Sequence, residues 1–448
     1  MSTESSSTRQ LVDRDLEAAT SIPSRFSSTF VNHVSHNQRA QSTPLELTTG
    51  TGYHIYTSLI IPQILSATQE VIIVTCFWAA SATRDALHNA LLELSAKAVA
   101  AQTKISVHIC FSTYSLARNM LLPTSKKGQN YKPSKWRKLG LPRSSRIPGL
   151  VLRVTRKFDW PFGIMHSKYV VIDRKLAILP SCNVSWERWL EAAVRIQGPA
   201  VAHLLKFHAW FWENGASLKP LPLDEGSGGA STLNGRTSAL ESSVQTTILP
   251  SPHTPSLLPP HLRPSTLLHQ LPCLPSRPPS HPPTPLLTTT SHLLSTAQHS
   301  IFLTTPNVTA PSVLALLRNA LSPPRKLDVT IWTNTSLMTL EQLKLGKLTI
   351  HYFDDPSPTR PGPGTRNARS VEAASHGKSS TLLDRNKETT PIRLHAKITI
   401  VDGDKLLLGS CNMDAASWGT SQELGILMES RELVDLLLER ELREKLVP

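Results

Sequence analysis

Cysteine is scarce: five residues in 448, at positions 76, 110, 182, 273 and 411, with no CxxC pair. An odd, scattered set argues against a disulfide framework and against a structural zinc site, and it suits a reducing, cytoplasmic setting. Long apolar runs are missing too. A bilayer-spanning helix needs roughly 20 apolar residues, and the best stretch, Leu59 to Ala67, is short and interrupted by Pro62. Contact with a membrane is therefore expected to be peripheral. Acidic residues are few, 33 against 47 Lys and Arg, which leaves a formal charge of +14 and a pI near 9.7. That balance favours an anionic partner: nucleic acid, an anionic lipid surface or a phosphorylated substrate.

Periodicity is absent from two regions. Residues 1–50 are rich in Ser and Thr, but Glu4, Asp13, Asp15 and Glu17 fit neither a secretory signal nor a transit peptide. They are expected to form a disordered tail. Between 214 and 290 the pattern disappears again, and residues 250–285 alone hold 13 of the 35 prolines. Such composition predicts a linker rather than a packed core.

Elsewhere the chain repeats itself. Helical spacing over Tyr56 to Ala67 leads into the β-branched and aromatic run Val71 to Trp78, then a helix from Asp85, a strand from Lys104 and another from Leu150. The same series returns at Ser300, Ala310, Lys326 and Lys347. Lys126 to Arg146 holds eight Lys or Arg and no acid, with Tyr131 and Trp136, and is expected to be a basic loop. A polar loop at 354–391 is expected in the second copy. Two α/β repeats of about 170 residues each follow, placed at 51–213 and 291–448. Each is expected to build a mixed, mostly parallel sheet flanked by helices.

Both repeats close on one motif. His166-Ser-Lys168-x4-Asp173 recurs as His395-Ala-Lys397-x4-Asp402, followed by Ser181-Cys182-Asn183 and Ser410-Cys411-Asn412. Side chains on a strand alternate faces, so each His shares a face with its Lys. Asp173 and Asp402, at odd offsets, point the other way and are expected to anchor local backbone. Lysine supplies charge for a phosphate, and histidine a nucleophile or proton donor near neutral pH. The Ser and Asn add neutral donors. One His cannot be nucleophile and leaving-group acid at once, so two half-sites facing each other explain the duplication. Cys182 and Cys411 are expected to be small core fillers. Trp160, Trp186, Trp189 and Trp418, close to the motifs, are candidates for a cleft lining or for the core.

At these residues the chain resembles the phospholipase D superfamily, whose signature is His-x-Lys-x4-Asp-x6-Gly-Ser-x-Asn. The second copy matches throughout, with Gly409 before Ser410; the first has Pro180 in place of the Gly. The resemblance implies two phospholipase-D-like α/β units packed about a pseudo-twofold axis, with the site between them and no metal or other cofactor needed. One His would attack phosphorus and the other protonate the leaving alcohol, with Lys168, Ser181, Asn183, Lys397, Ser410 and Asn412 on the phosphate. A Glu beyond the Asn would orient a His: Glu423 in the second copy, and in the first Glu191 or Glu187, of which Glu191 fits better. His166 is taken as nucleophile and His395 as acid by family habit. The implied substrate is a phospholipid, with phospholipase D or cardiolipin-synthase-like chemistry. A nuclease using the same paired site is the alternative, and a scaffold with no activity a third.

Overall fold

The computed structural model describes residues 39–113, 128–158, 163–216, 218, 221, 243–252, 284–334, 347–353 and 390–446. The first repeat runs β1 (Arg39–Gly50), a helix over 52–65 (α1), β2 (Glu70–Phe77), α2 (Ala82–Ala100), β3 (Ile105–Thr113) and the two-residue β4 (Gln129–Asn130). It continues with β5 (Leu150–Arg156), β6 (Tyr169–Ile172), β7 (Leu176–Pro180), β8 (Trp189–Gln197) and α3 (Pro199–Phe211). The second runs β9 (Val244–Ser251), α4 (Pro285–Thr296), β10 (Ser300–Thr304), α5 (Pro311–Leu321), β11 (Asp328–Asn334), β12 (Lys347–Phe353) and β13 (Arg393–Leu394). It ends with β14 (Ile398–Val401), β15 (Lys405–Gly409), β16 (Glu423–Glu429) and a helix over 431–446 (α6).

Local chemistry accounts for the elements. β2 is β-branched along Val71 to Val74 and buried on both faces, as an interior strand must be. α2 starts at the Ser81 cap, whose hydroxyl accepts from Arg84 N, and buries Leu87, Leu91, Leu94 and Ala98 at helical spacing. Thr284 and Ser430 cap α4 and α6 in the same way.

The strands join into one continuous sheet, ordered β12-β11-β10-β14-β15-β16-β9-β1-β8-β7-β6-β2-β3-β5-β4. From the β1–β9 pair outward the order is the same on both sides, so the two repeats are related by a pseudo-twofold axis at that seam. α1 and α2 cover one face of the first half around Leu59, Val71, Leu91 and Ile109; α4 and α5 do the same for the second around Leu287, Leu303, Leu317 and Ile331. The other face is shared: α3 and α6 bury Leu204, Phe211, Leu433 and Leu437 with β-strand residues from both repeats.

Three expectations need correction. Residues 39–50 are not tail, and 244–251 are not linker. They are β1 and β9, paired antiparallel with each other and with β8 and β16, and they form the seam itself. Second, antiparallel pairs outnumber parallel ones. Among the described residues the parallel strand pairs are β2–β3–β5, β10–β11–β12 and the short β8–β13 contact, with three isolated parallel bridges besides. The motif strands enter as tight hairpins, β6–β7 and β14–β15, and two strands joined by so short a turn must run antiparallel. Third, the part of the basic loop from Gly128 to Arg146 is packed. Trp136, Leu139 and Leu141 are buried, Trp136 Nε1 donates to Tyr131 O at 3.0 Å, and Trp78 Nε1 donates to Leu139 O at 2.8 Å. Lys132, Lys135, Arg137, Lys138, Arg143 and Arg146 point to solvent. Residues 1–38, Trp160, the proline-rich stretch 253–283 and most of the polar loop at 354–391 lie outside the described residues.

Candidate active site

The two motifs meet across the repeats. Ahead of β6, the amides of His166 and Ser167 both donate to Gln422 O, at 2.8 and 3.1 Å, next to Glu423 at the start of β16. Ahead of β14, the amides of His395 and Ala396 both donate to Leu190 O, at 2.9 and 2.8 Å, next to Glu191 on β8. Each histidine is thus docked by its own backbone onto the glutamate strand of the other repeat.

The side chains follow. His166 Nδ1 lies 2.9 Å from both carboxylate oxygens of Glu423, and His395 Nδ1 lies 2.7 Å from Glu191 Oε1. Behind the carboxylates, the Ser410 hydroxyl donates to Glu423 and the Ser181 hydroxyl to Glu191. All of these groups are buried or nearly so. A carboxylate accepting from Nδ1–H fixes the tautomer and leaves the lone pair on Nε2, the arrangement a nucleophilic imidazole needs.

The lysines differ. Lys168 Nζ donates to the carbonyl oxygen of His166 at 2.8 Å, whereas Lys397 Nζ sits 2.7 and 2.8 Å from the two ring nitrogens of His395. The Lys397 ammonium therefore lies against both ring nitrogens of His395, and Lys168 meets the backbone of His166 instead.

Electrostatics bind the cluster into one unit. Burial lowers both imidazoles, His395 to about 4, although Glu191 and Glu423 pull the other way. Burial opposes ionisation of Glu191, but His395, Lys397 and the Ser181 hydroxyl outweigh it and hold the carboxyl at about 2. Glu423 is lowered by His166 and Ser410 in the same manner, against its own burial. Burial, with the charge of Lys168 added, brings Lys397 down to about 7 against the pull of Glu191. Near neutral pH both imidazoles are neutral beside ionised carboxylates.

Other predicted residues lie elsewhere. Asp173 and Asp402 are seven residues along extended chain from their histidines, on the order of 20 Å, and take no part in the cluster. Asp173 accepts from the amides of Thr68, Gln69 and Glu70 at 2.8–2.9 Å, and Asp402 from those of Gln298, His299 and Ser300 at 2.8–3.1 Å. They pin the turns entering β2 and β10.

Ser181 and Ser410 are spent on the glutamates, and each also accepts a backbone amide, from Ala192 at 2.9 Å and Leu424 at 3.1 Å. They support the carboxylates rather than cradle a phosphate. Asn183 Oδ1 accepts from Phe77 N at 3.2 Å; Asn412 Nδ2 donates to Asp414 at 3.0 Å. Glu187 makes no contact with either His, and Glu191 takes the place that Glu423 holds in the second repeat. The three extra residues before Glu423 are taken up by the turn after Met413. Pro180 keeps the register: Ser181 N donates to Ala192 O at 2.8 Å, as Ser410 N does to Leu424 O at 3.0 Å. Cys182 is a core filler against Gly52, and Trp418 is buried. Trp189 lies against His395, with ring centroids 4.5 Å apart, and the exposed Trp186 meets Phe77 edge-on.

The crosswise pairing of each glutamate with the other repeat's histidine is the feature that the sequence concealed. The apolar strand after each Glu points to Glu191 and Glu423, but only the strand order says which His each one faces.

Among solved structures, the phosphatidylserine synthase of Haemophilus influenzae Rd KW20 is 12% identical, with a TM-score of 0.47, covering 95% of this chain and 88% of that one. A polyphosphate kinase from Porphyromonas gingivalis is 10% identical, with a TM-score of 0.44, over 88% of this chain and 49% of its own. NucT from Helicobacter pylori is 15% identical, with a TM-score of 0.23, over 33% and 79%. No curated protein sequence matches the chain. The family described as cardiolipin synthase, PLD-like domain, matches residues 60–213 and 291–443, one match per repeat. With both repeats and more than half of its length accounted for, the chain belongs to that phospholipase-D-like family.

Proposed function

We propose that this protein cleaves or transfers phosphodiesters of phospholipids through a phosphohistidine, using one site formed by both repeats. The crosswise carboxylate–imidazole pairs carry the reading, because they prepare two Nε2 lone pairs, each with a motif lysine two residues along the chain. His166, whose backbone rather than its ring meets Lys168, attacks phosphorus through Nε2; the P–N bond forms as the P–O bond to the leaving alcohol breaks. The departing oxygen takes a proton from the His395–Lys397 pair, whose short contact and lowered lysine make the proton easy to pass. Water or a second alcohol then attacks phosphorus, returns a proton to His395 and releases His166. The lysines stay on the phosphoryl oxygens. No helix among the described residues is long and apolar enough to cross a membrane. The exposed cations from Lys132 to Arg146 suit peripheral contact with anionic lipid headgroups.

The same cations and the charge of +14 favour one second reading, a nuclease acting on DNA or RNA. A panel of phosphatidylglycerol, phosphatidylcholine and single-stranded DNA, given to the wild type and to His166→Ala and His395→Ala, separates them. Headgroup release or transfer that disappears in both variants is expected. Cleavage of DNA alone would replace the lipid reading with the nuclease.

A further inference from the structure

One buried cluster of protonatable groups has no place in this chemistry. His108 and Cys110, two apart on β3, share the face that packs under α3, from which His208 approaches; Glu213 follows the end of that helix. One ligand atom from each of His108, Cys110 and His208 lies within 4.8 Å of the others, and all three residues are buried. Cys110 Sγ is 3.1 Å from His108 Nε2. His208 Nε2 is buried without a hydrogen-bond partner, and Glu213 Oε1 stands 3.7 Å from it. An orphaned buried polar atom costs on the order of 1–3 kcal/mol, so its aim into this cluster calls for a ligand.

The surrounding groups hold the rings as metal-ligating histidines are held. His208 Nδ1 lies 2.9 Å from the Tyr169 hydroxyl; donation from Nδ1–H leaves the lone pair on Nε2. His108 Nδ1 lies 2.8 Å from the Arg153 guanidinium and 3.2 Å from Glu213 Oε1, and its Nε2 faces Cys110 Sγ at 3.1 Å and the Thr155 hydroxyl at 3.0 Å. Zinc bonds to nitrogen and sulfur put neighbouring ligand atoms of a tetrahedron about 3.3–3.6 Å apart, close to the 3.1 Å between Cys110 Sγ and His108 Nε2. Arg153, 2.8 Å from His108 Nδ1, is paired with Glu213, and the Lys157 ammonium is held by Phe211 O.

We propose that His108, Cys110 and His208 bind one zinc ion or another thiophilic divalent cation. Cys110 gives its thiol proton to solvent, and the thiolate and two neutral imidazoles take the metal in its place. Burial keeps that thiol protonated and both imidazoles neutral when the metal is absent. The ion would tie α3 to β3, whose Ser112 hydroxyl accepts from Met165 N at 3.0 Å, next to His166. It would therefore steady the first half-site without touching phosphorus.

The test is metal content and cobalt spectroscopy on the full chain, purified without chelator from zinc-supplemented medium. Zinc near one equivalent is expected, and Co²⁺ added to the stripped protein should give a thiolate-to-cobalt charge-transfer band. That band should vanish in Cys110→Ser. Tyr169→Phe, which keeps the ring and removes the hydroxyl behind His208, should weaken zinc binding by about 10–100-fold. Purified chain without metal and without a cobalt band at saturation overturns the proposal, as does a band that survives Cys110→Ser. The reading on the unaltered chain decides even where a variant fails to fold.

Discussion

His166 and His395 each owe their usable form to a carboxylate from the opposite repeat. Glu191→Gln and Glu423→Gln leave the shape but cannot hold the imidazolium or the tautomer as an anion does. Each is expected to lower kcat by about 10²–10⁴-fold, the range from outer-shell metal ligands to the protease triad's Asp→Asn, with little change in KM. Steady-state kinetics on a lipid substrate checks this; a Gln variant at wild-type kcat would remove the crosswise pair from the mechanism.

The pH profile has two predicted limbs. Attack needs a neutral His166, which burial lowers from the ordinary histidine value, so the acid limb of kcat/KM should lie below the ordinary histidine range. Phosphate binding needs a charged Lys397, whose proton leaves near 7, so the rate should fall above that. Both limbs belong to the coupled cluster rather than to single residues. A rate that rises through pH 6–7 would contradict this order. At the residue scale the sequence was legible for His166, Lys168, His395 and Lys397, whose spacing recurs, and for Glu423 by the apolar strand that follows it. It was less so for Ser181 and Ser410, whose hydroxyls are taken by carboxylates that only the packed strands bring near.

The motif hairpins show what the third motif residue does. Asp173 and Asp402 take left-handed backbone, φ +48° and +53°, and collect the amides at the start of β2 and β10. Asp173→Ala orphans three part-buried or exposed amides and is expected to cost about 1–3 kcal/mol. Activity per folded molecule should be nearly unchanged. Denaturant unfolding and kinetics at low temperature separate the two effects, and a large loss of kcat in fully folded protein would return the Asp to the chemistry. Strands β2, β3 and β5 were readable because they are apolar and β-branched. The segment from Gly128 to Arg146 was not, since its charge hides the anchors Trp136, Leu139 and Leu141. His108, Cys110 and His208 escaped as well, because the third residue reaches the other two only through packing of α3 on β3.

At the scale of the whole molecule, one sheet runs through both repeats, and its seam, β1 against β9, was the least legible part. Both strands are rich in Ser, Thr and Gln, and each carries a proline: Pro44 sits where β1 changes register, and Pro250 lies near the end of β9. Polar composition with proline argues against a strand when only local signals are available. Here tertiary pairing with β8 and β16 decides. Because the seam sets each glutamate strand under the other repeat's histidine, neither half holds a complete site.

The most direct measurement of that claim is trapping of the covalent intermediate. Rapid quenching with a short-chain phospholipid, followed by peptide mapping, should find an acid-labile phosphoryl adduct on His166 in the wild type. The adduct should be absent in His166→Ala, and any formed in His395→Ala should persist, because that variant lacks the group that takes the proton of the attacking water. An adduct on His395 would reverse the roles. Turnover retained by either single variant would contradict a shared site.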